Sequence, residues 1–157
     1  VMSHRTISMN APMFLALLGG TKTQTRRIMK PQPSDSHWEP VEPVLWGSED
    51  SSYPINSDDA LSMCPYGVPG DILTVRGSNV ALEIVSIRVE RLNHISEEDA
   101  RAEGVTAHDM YNADGLAFAD GCTHKATFSN LWKSIYGAGA WAENPYVWVV
   151  EFKLVKS

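Results

Sequence analysis

Apolar and polar positions change their rhythm several times along this chain, and each change marks an element. Met13, Phe14, Leu15, Leu17 and Leu18 recur at helical spacing, with Asn10 placed to cap the start and Gly19-Gly20 placed to end it. Thr25 to Met29 reads as a short strand. Ile72-Leu73-Thr74-Val75-Arg76 reads as another, entered through the turn Val68-Pro69-Gly70-Asp71. From Val80 to Leu92 the residues are rich in β-branched types. Leu82 and Ile84 share one parity and Val85, Ile87 and Val89 the other, so the buried face must change partway, as in a strand that bends. Ser96, with Asp99 three residues on, caps a helix that Gly104 ends, which puts Glu103 in its last turn. Phe128, Leu131, Trp132, Ile135 and Tyr136 form the apolar stripe of a further helix. Tyr146, Trp148, Val150, Phe152 and Leu154 alternate through a closing strand, and Arg5 to Met9 supplies a first one. About five strands and three helices in no βαβ rhythm predict an α+β fold around a small, mostly antiparallel β-barrel.

Between the second and third strands the pattern fails. Residues 31 to 70 hold seven of the nine prolines and an acidic, Ser-rich middle from Ser48 to Asp59, so an irregular excursion is expected, either a lid or a plain surface insertion. With 157 residues, 43% of them hydrophobic, the chain fits one domain. Cys64 and Cys122 stand alone, and the five histidines His4, His37, His94, His108 and His124 are scattered, so no disulfide framework, metal site or cofactor is indicated. The longest strongly apolar run, Met13 to Leu18, is too short to span a bilayer. These features predict a soluble protein of the reducing cytoplasm, with no membrane partner.

Charge divides the chain unevenly. Residues 1 to 30 hold Arg5, Lys22, Arg26, Arg27 and Lys30 with no Asp or Glu, a net +5; the whole chain is −6, so residues 31 to 157 carry −11. A pI near 5.3 argues against coating long nucleic acid non-specifically and leaves room for a local site. The centre of the basic head is Gly20-Thr21-Lys22-Thr23-Gln24-Thr25-Arg26-Arg27. Lys22 and Thr25 differ by three and would face opposite sides of a regular strand, so a shared site requires a turn or bulge at 22 to 24. Ordinary readings exist for each residue: a solvated lysine, a threonine serving as a β-former, and a Glu103 paired on the surface with Arg101.

Gly-x-Lys-Thr-x-Thr-Arg at 20 to 26, Pro-Gly-Asp-x-Leu at 69 to 73, Val89-Glu90-Arg91-Leu92 with Ile95-Ser96-Glu97-Glu98, and Trp148-Val149-Val150-Glu151-Phe152, in that order, resemble the ASCH domain, a PUA-like barrel family. With Arg27, Cys64-Pro65-Tyr66-Gly67 and Asn144-Pro145-Tyr146-Val147-Trp148, the pattern looks like ASCH proteins carried by phages and prophages. One departure is a connection after Arg76, through Gly77-Ser78-Asn79, that is shorter than the family's.

The resemblance implies a single ASCH domain whose bacterial members include amidohydrolases acting on N4-acetylcytidine through a lysine, a threonine three residues later and a distant glutamate. Lys22, Thr25 and Glu103 match those positions. On that reading Thr25 attacks the acetyl carbonyl, Lys22, held neutral, takes its proton, and Glu103 protonates the leaving amine or activates water. Arg26 and Arg27 would tune the lysine and bind substrate, and Tyr66 and Trp46 would stack on the base, with Trp148 more readily placed in the core. The partner is then a modified cytidine nucleoside. The alternative implied by the family is an RNA-binding or RNA-cleaving module, in which Lys22, Arg26, Arg27 and Lys30 hold phosphates.

Overall fold

A computed structural model of the chain describes residues 5–30, 32, 45–46, 53–54, 61–105 and 123–155. The strands are β1 (Arg5–Ile7), β2 (Gln24–Ile28), β3 (Leu45–Trp46), β4 (Tyr53–Pro54), β5 (Ile72–Val75), β6 (Ala81–Arg91) and β7 (Tyr146–Leu154), and the helices α1 (Ala11–Leu18), α2 (Glu97–Ala102) and α3 (His124–Tyr136). One 3₁₀ turn, Leu92–His94, follows β6. The class is α+β, as the pattern predicts. Five strands form one sheet in the order β1-β5-β6-β7-β2, and β3 pairs with β4 separately. β1 runs parallel to β5 and β5 antiparallel to β6. The end of β7 meets the start of β6, where Val155 N–H donates to the Ala81 carbonyl at 3.0 Å, and the end of β2 meets the start of β7 through Met29 and Tyr146 at 3.1 Å. Both contacts fit antiparallel neighbours.

The expected barrel does not close. β1 and β2 are the edges of the sheet. β1 has only three residues, and what reaches toward it from β2 is a side chain: Arg27 Nη2 donates to the Ser8 carbonyl at 2.7 Å. A guanidinium satisfies that carbonyl but cannot continue a backbone ladder.

The chain divides into two compact units built of interleaved segments. Residues 1–8, 26–90 and 145–157 form the first, and 9–25 and 91–144 the second. In the first, Leu73, Val75, Leu82, Ile84, Ile87, Val89, Val147, Val149 and Val150 make an apolar centre. The switch of face along β6 is present: Leu82 and Ile84 are buried, Val85 and Ser86 are not, and Ile87 and Val89 are buried again. β7 departs from simple alternation, because every residue from Tyr146 to Val150 is buried, which is the signature of a strand covered on both faces. The short link after β5 is a complete turn. Val75 N–H donates to the Val80 carbonyl at 2.9 Å, Ser78 Oγ donates to the Val75 carbonyl and accepts from Val80 N–H, and Gly77 takes the positive φ of 83° that such a turn demands. Of the Pro-rich excursion, most residues lie outside those described; β3 and β4 belong to it, with Leu45 opposite Pro54 and Trp46 opposite Tyr53.

In the second unit, α1 starts at Asn10, whose side chain accepts from Met13 N–H at 3.0 Å. Ser96 caps α2 by accepting from Asp99 N–H at 3.0 Å. Thr123 caps α3, and the Glu97 carboxylate accepts from both His124 and Lys125 N–H groups, at 2.9 and 2.8 Å, so the first residue of α2 ties down the start of α3. Along α3, Phe128 and Trp132 are buried, whereas Ile135 and Tyr136, placed on the same stripe by the sequence, are 52% and 44% exposed. Tyr136 covers Trp132 with ring centroids 4.4 Å apart. Asn144 adopts a φ of 47° and its side-chain oxygen accepts from Asn93 N–H at 2.8 Å, turning the chain into β7.

Candidate functional site

The second unit holds the residues that the sequence singles out for chemistry. α1 ends in Gly19 and Gly20, and the chain then runs extended: Thr21 is exposed, Lys22 buried, Thr23 exposed, Gln24 buried. Alternation holds from Thr21 to Gln24 and stops there, because Thr25 and Arg26 are buried as well. Lys22 forms an isolated antiparallel bridge with Glu103, and Thr23 N–H donates to the Ala102 carbonyl at 2.8 Å. The backbone bridge lays the end of α2 along residues 22 to 24.

That bridge brings two groups 81 positions apart into direct contact. Lys22 Nζ lies 3.1 Å from Glu103 Oε2, 2.9 Å from the Glu103 carbonyl and 3.0 Å from the Gln24 carbonyl. The two side chains are 2% and 4% exposed, so the pair is shut off from water. An ammonium has three protons, and these three acceptors can each take one, so the contacts fit a charged lysine. The Gln24 carbonyl belongs to the peptide bond leading into Thr25, which is itself buried at 3% exposure.

Gly104 explains how the lysine can lie so close to the helix end. Its φ is 96°, and a Cβ there would come within 2.8 Å of Lys22 Cβ and 3.0 Å of Ala16 Cβ. Only glycine satisfies both the conformation and the approach. Two further residues, which sequence reasoning missed, complete the cluster. Gln24 is 2% exposed and its side-chain amide donates to Asp99 Oδ1 over a long 3.4 Å. Asp99 read from sequence as a cap residue alone, and Gln24 as a spacer between threonines.

Arg26, Arg27, Tyr66 and Trp46, the residues expected to contact substrate, belong to the first unit. Arg26 has a side chain of 0% exposure and donates through Nη2 to Glu90 Oε1. Glu90 also accepts from Arg88 Nε at 3.4 Å, and Arg88 Nη1 reaches Glu151 Oε1 at 2.9 Å. Charges thus alternate from the buried Arg26 to Glu151, 39% exposed. Arg27 is half-buried on the Ser8 carbonyl, and Tyr66 is half-buried in the turn after Cys64. Trp46 lies in β3, and its side chain is outside what the structure describes. Burial pushes the Cys64 thiol up, opposed by hydrogen bonds from the Tyr66 and Gly67 backbones and by the charge of Arg5. Among the described residues no group of three or more His, Cys, Asp or Glu could hold a metal ion, and no helix is long and apolar enough to cross a membrane.

No family model matches the chain, and no curated protein matches its sequence. Solved structures do resemble it. The hypothetical protein PH0355 superposes with a TM-score of 0.51 at 11% identity, covering 98% of this chain and 100% of that one. Protein EF3133 from Enterococcus faecalis V583 gives 0.51 at 11% identity, over 99% of this chain and 82% of that one. The likeness is one of fold. An ASCH domain from Lactobacillus crispatus JV V101 superposes at 0.42 with 16% identity, over 96% and 80% of the two chains, too distant to bear on function.

Proposed function

We propose that the chain is an ASCH-type amidohydrolase that removes the acyl group from an N4-acylated cytosine nucleoside, acting in the cytoplasm. The observation that carries this reading is the contact between Lys22 and Glu103, buried, hydrogen-bonded and joined across 81 residues. A purely structural ion pair in so dry a place is weakly favoured, because desolvating two charges offsets much of their attraction. The same desolvation makes the pair useful. One proton moving from Nζ to Oε2 across 3.1 Å turns a salt bridge into a neutral amine beside a neutral carboxylic acid. That single transfer creates both groups that amide hydrolysis requires.

The reaction then runs in two halves. Thr25 Oγ attacks the acyl carbonyl carbon while Lys22 takes its proton, giving an oxyanion and an ammonium. The oxyanion collapses, the carbon–N4 bond breaks, and the Glu103 carboxyl gives its proton to N4 as cytidine leaves. Water, losing a proton to the Glu103 carboxylate, attacks the Thr25 ester; the threonine hydroxyl is restored with the proton held by Lys22, and the acid is released. We assign Arg26, whose guanidinium is taken by Glu90, to the sheet of its own unit. Burial and internal pairing of Lys22 and Arg26 also remove two of the cations that an RNA-binding reading would place on phosphates.

The test incubates the purified chain with N4-acetylcytidine and follows cytidine release between about pH 6 and 9, where a paired acid and base give a bell-shaped profile. Turnover that disappears in Lys22→Ala and Thr25→Val supports the reading. No turnover by the parent chain, or equal turnover by Lys22→Ala, overturns it.

A further inference from the structure

We infer that Gln24 and Asp99 are positioning residues for the Lys22–Glu103 pair, holding α2 in register and keeping a second carboxylate away from the lysine. The kinetic part of this inference rests on the reaction proposed above; the geometric part does not.

Two spacings coincide. Lys22 and Gln24 are alternate, buried residues of an extended segment, so their side chains leave the same side about 6.6 Å apart along the chain. Asp99 and Glu103 lie four apart on α2, linked by the Glu103 N–H to Asp99 carbonyl bond of 3.0 Å, so they stack on one helical face about 6 Å apart. Lying antiparallel, the two segments pair as a ladder of two rungs, Lys22 with Glu103 and Gln24 with Asp99. A slip of α2 by one residue, about 1.5 Å, would break both rungs.

The second rung also selects a partner. Asp99 sits one turn from Glu103 and offers the lysine another anionic acceptor. The Gln24 amide engages the Asp99 carboxylate, and the Ser96 cap fixes the Asp99 backbone at 3.0 Å. Lys22 is then left to Glu103, the carboxylate to which its proton must pass. A glutamine suits this task because it donates to a carboxylate without adding charge; a glutamate there would set two anions against each other.

The experiment has a spectroscopic and a kinetic arm. Buried, ion-paired lysine ammonium protons exchange slowly enough for Lys22 to be followed through its ¹⁵Nζ signal in uniformly labelled protein, with Lys22→Arg identifying the resonance. Gln24→Met, which keeps bulk and removes the amide, should displace or broaden that signal while the backbone amide spectrum stays folded. On N4-acetylcytidine it should lower kcat on the order of tenfold to a hundredfold, with KM changed less than about threefold. Gln24→Glu should be impaired at neutral pH and recover as the pH is lowered, once the introduced carboxyl gains a proton and donates as the amide did. Gln24→Glu combined with Asp99→Asn reverses donor and acceptor and should restore the Lys22 signal at neutral pH. An unchanged Lys22 signal in Gln24→Met, or a double variant no better than Gln24→Glu alone, overturns the inference. If the parent chain does not hydrolyse N4-acetylcytidine, the proposed function falls and the Lys22 signal decides the ladder by itself. If Gln24→Met does not fold, the double variant decides it.

Discussion

Two neighbours in sequence, Lys22 and Arg26, end in opposite kinds of electrostatic surroundings. Lys22 meets one carboxylate in a closed pair, with both side chains under 5% exposed. Arg26 begins an alternating row in which Glu90 is 20%, Arg88 33% and Glu151 39% exposed, so each successive charge is better hydrated. The difference lies in what compensates each charge. In the closed pair no water competes, so removing either charge strands the other in a dry place. In the open row, removing one charge leaves neighbours and solvent to compensate, which suits a structural brace. A basic motif that reads as uniform thus separates into a dry, closed pair and a partly hydrated row.

The comparison can be broken most sharply in the closed pair. Lys22→Met or Glu103→Leu alone should destabilise the fold by about 3–5 kcal/mol, because each leaves a buried charge without its counter-charge, whereas the two together should recover most of that loss. Urea unfolding of the three variants checks it, and a double variant as unstable as the sum of the singles would show that the pair is not closed. Next in size, Gly104→Ala should cost about 1–3 kcal/mol, since it forces an alanine to positive φ and drives a Cβ into Lys22; a thermal melt showing no loss would mean that the Lys22 segment can retreat from α2. In the open row, Glu90→Gln should cost about 1–2 kcal/mol, because the buried Arg26 keeps a neutral acceptor. Glu151→Gln at its exposed end should change stability by less than about 1 kcal/mol, and by less still in high salt. Equal effects of those two substitutions in denaturant titrations would erase the gradient from buried to exposed.

The smallest effect expected concerns pH. Burial pushes the Glu97 carboxyl up, but the N–H groups of Lys125 and His124, the Thr123 hydroxyl and the His124 imidazole outweigh it and hold it below the ordinary carboxylate value. A depressed value means that the stabilisation is present above the ordinary carboxylate range and is lost as pH falls through the lowered one. The carboxylate is half exposed, so the loss is slight. Melting temperatures of the parent chain and Glu97→Gln should converge as the solution is acidified; a gap that stays constant down to strongly acid pH would remove Glu97 from the account.

Much of the fold was legible in local pattern. Asn10, Ser96 and the glycine at 104 mark helix ends through backbone chemistry that acts over three or four residues, and all three act as the sequence implies. The change of face near Val85 was also visible, because parity is a local property. Barrel closure was not, since it depends on whether β1 and β2 pair, and no residue in either strand records its distant neighbour. Burial of Ile135 and Tyr136 failed for a related reason: helical spacing marks a stripe but not how much of it another element covers.

The candidate site divides the same way. Lys22, Thr25 and Glu103 became candidates only through the ordered motifs that resemble the ASCH domain. That Lys22 Nζ meets three acceptors, that exposure alternates from Thr21 to Gln24, and that the Gln24 amide meets Asp99 came only with the tertiary structure. Sequence by itself determined the elements, their caps and the identity of the ionisable groups, because those follow from interactions along a few residues of chain. Which carboxylate each cation meets, and how dry the meeting is, depended on packing between segments some eighty residues apart, and that packing decides whether a lysine is a surface charge or half of a buried ion pair.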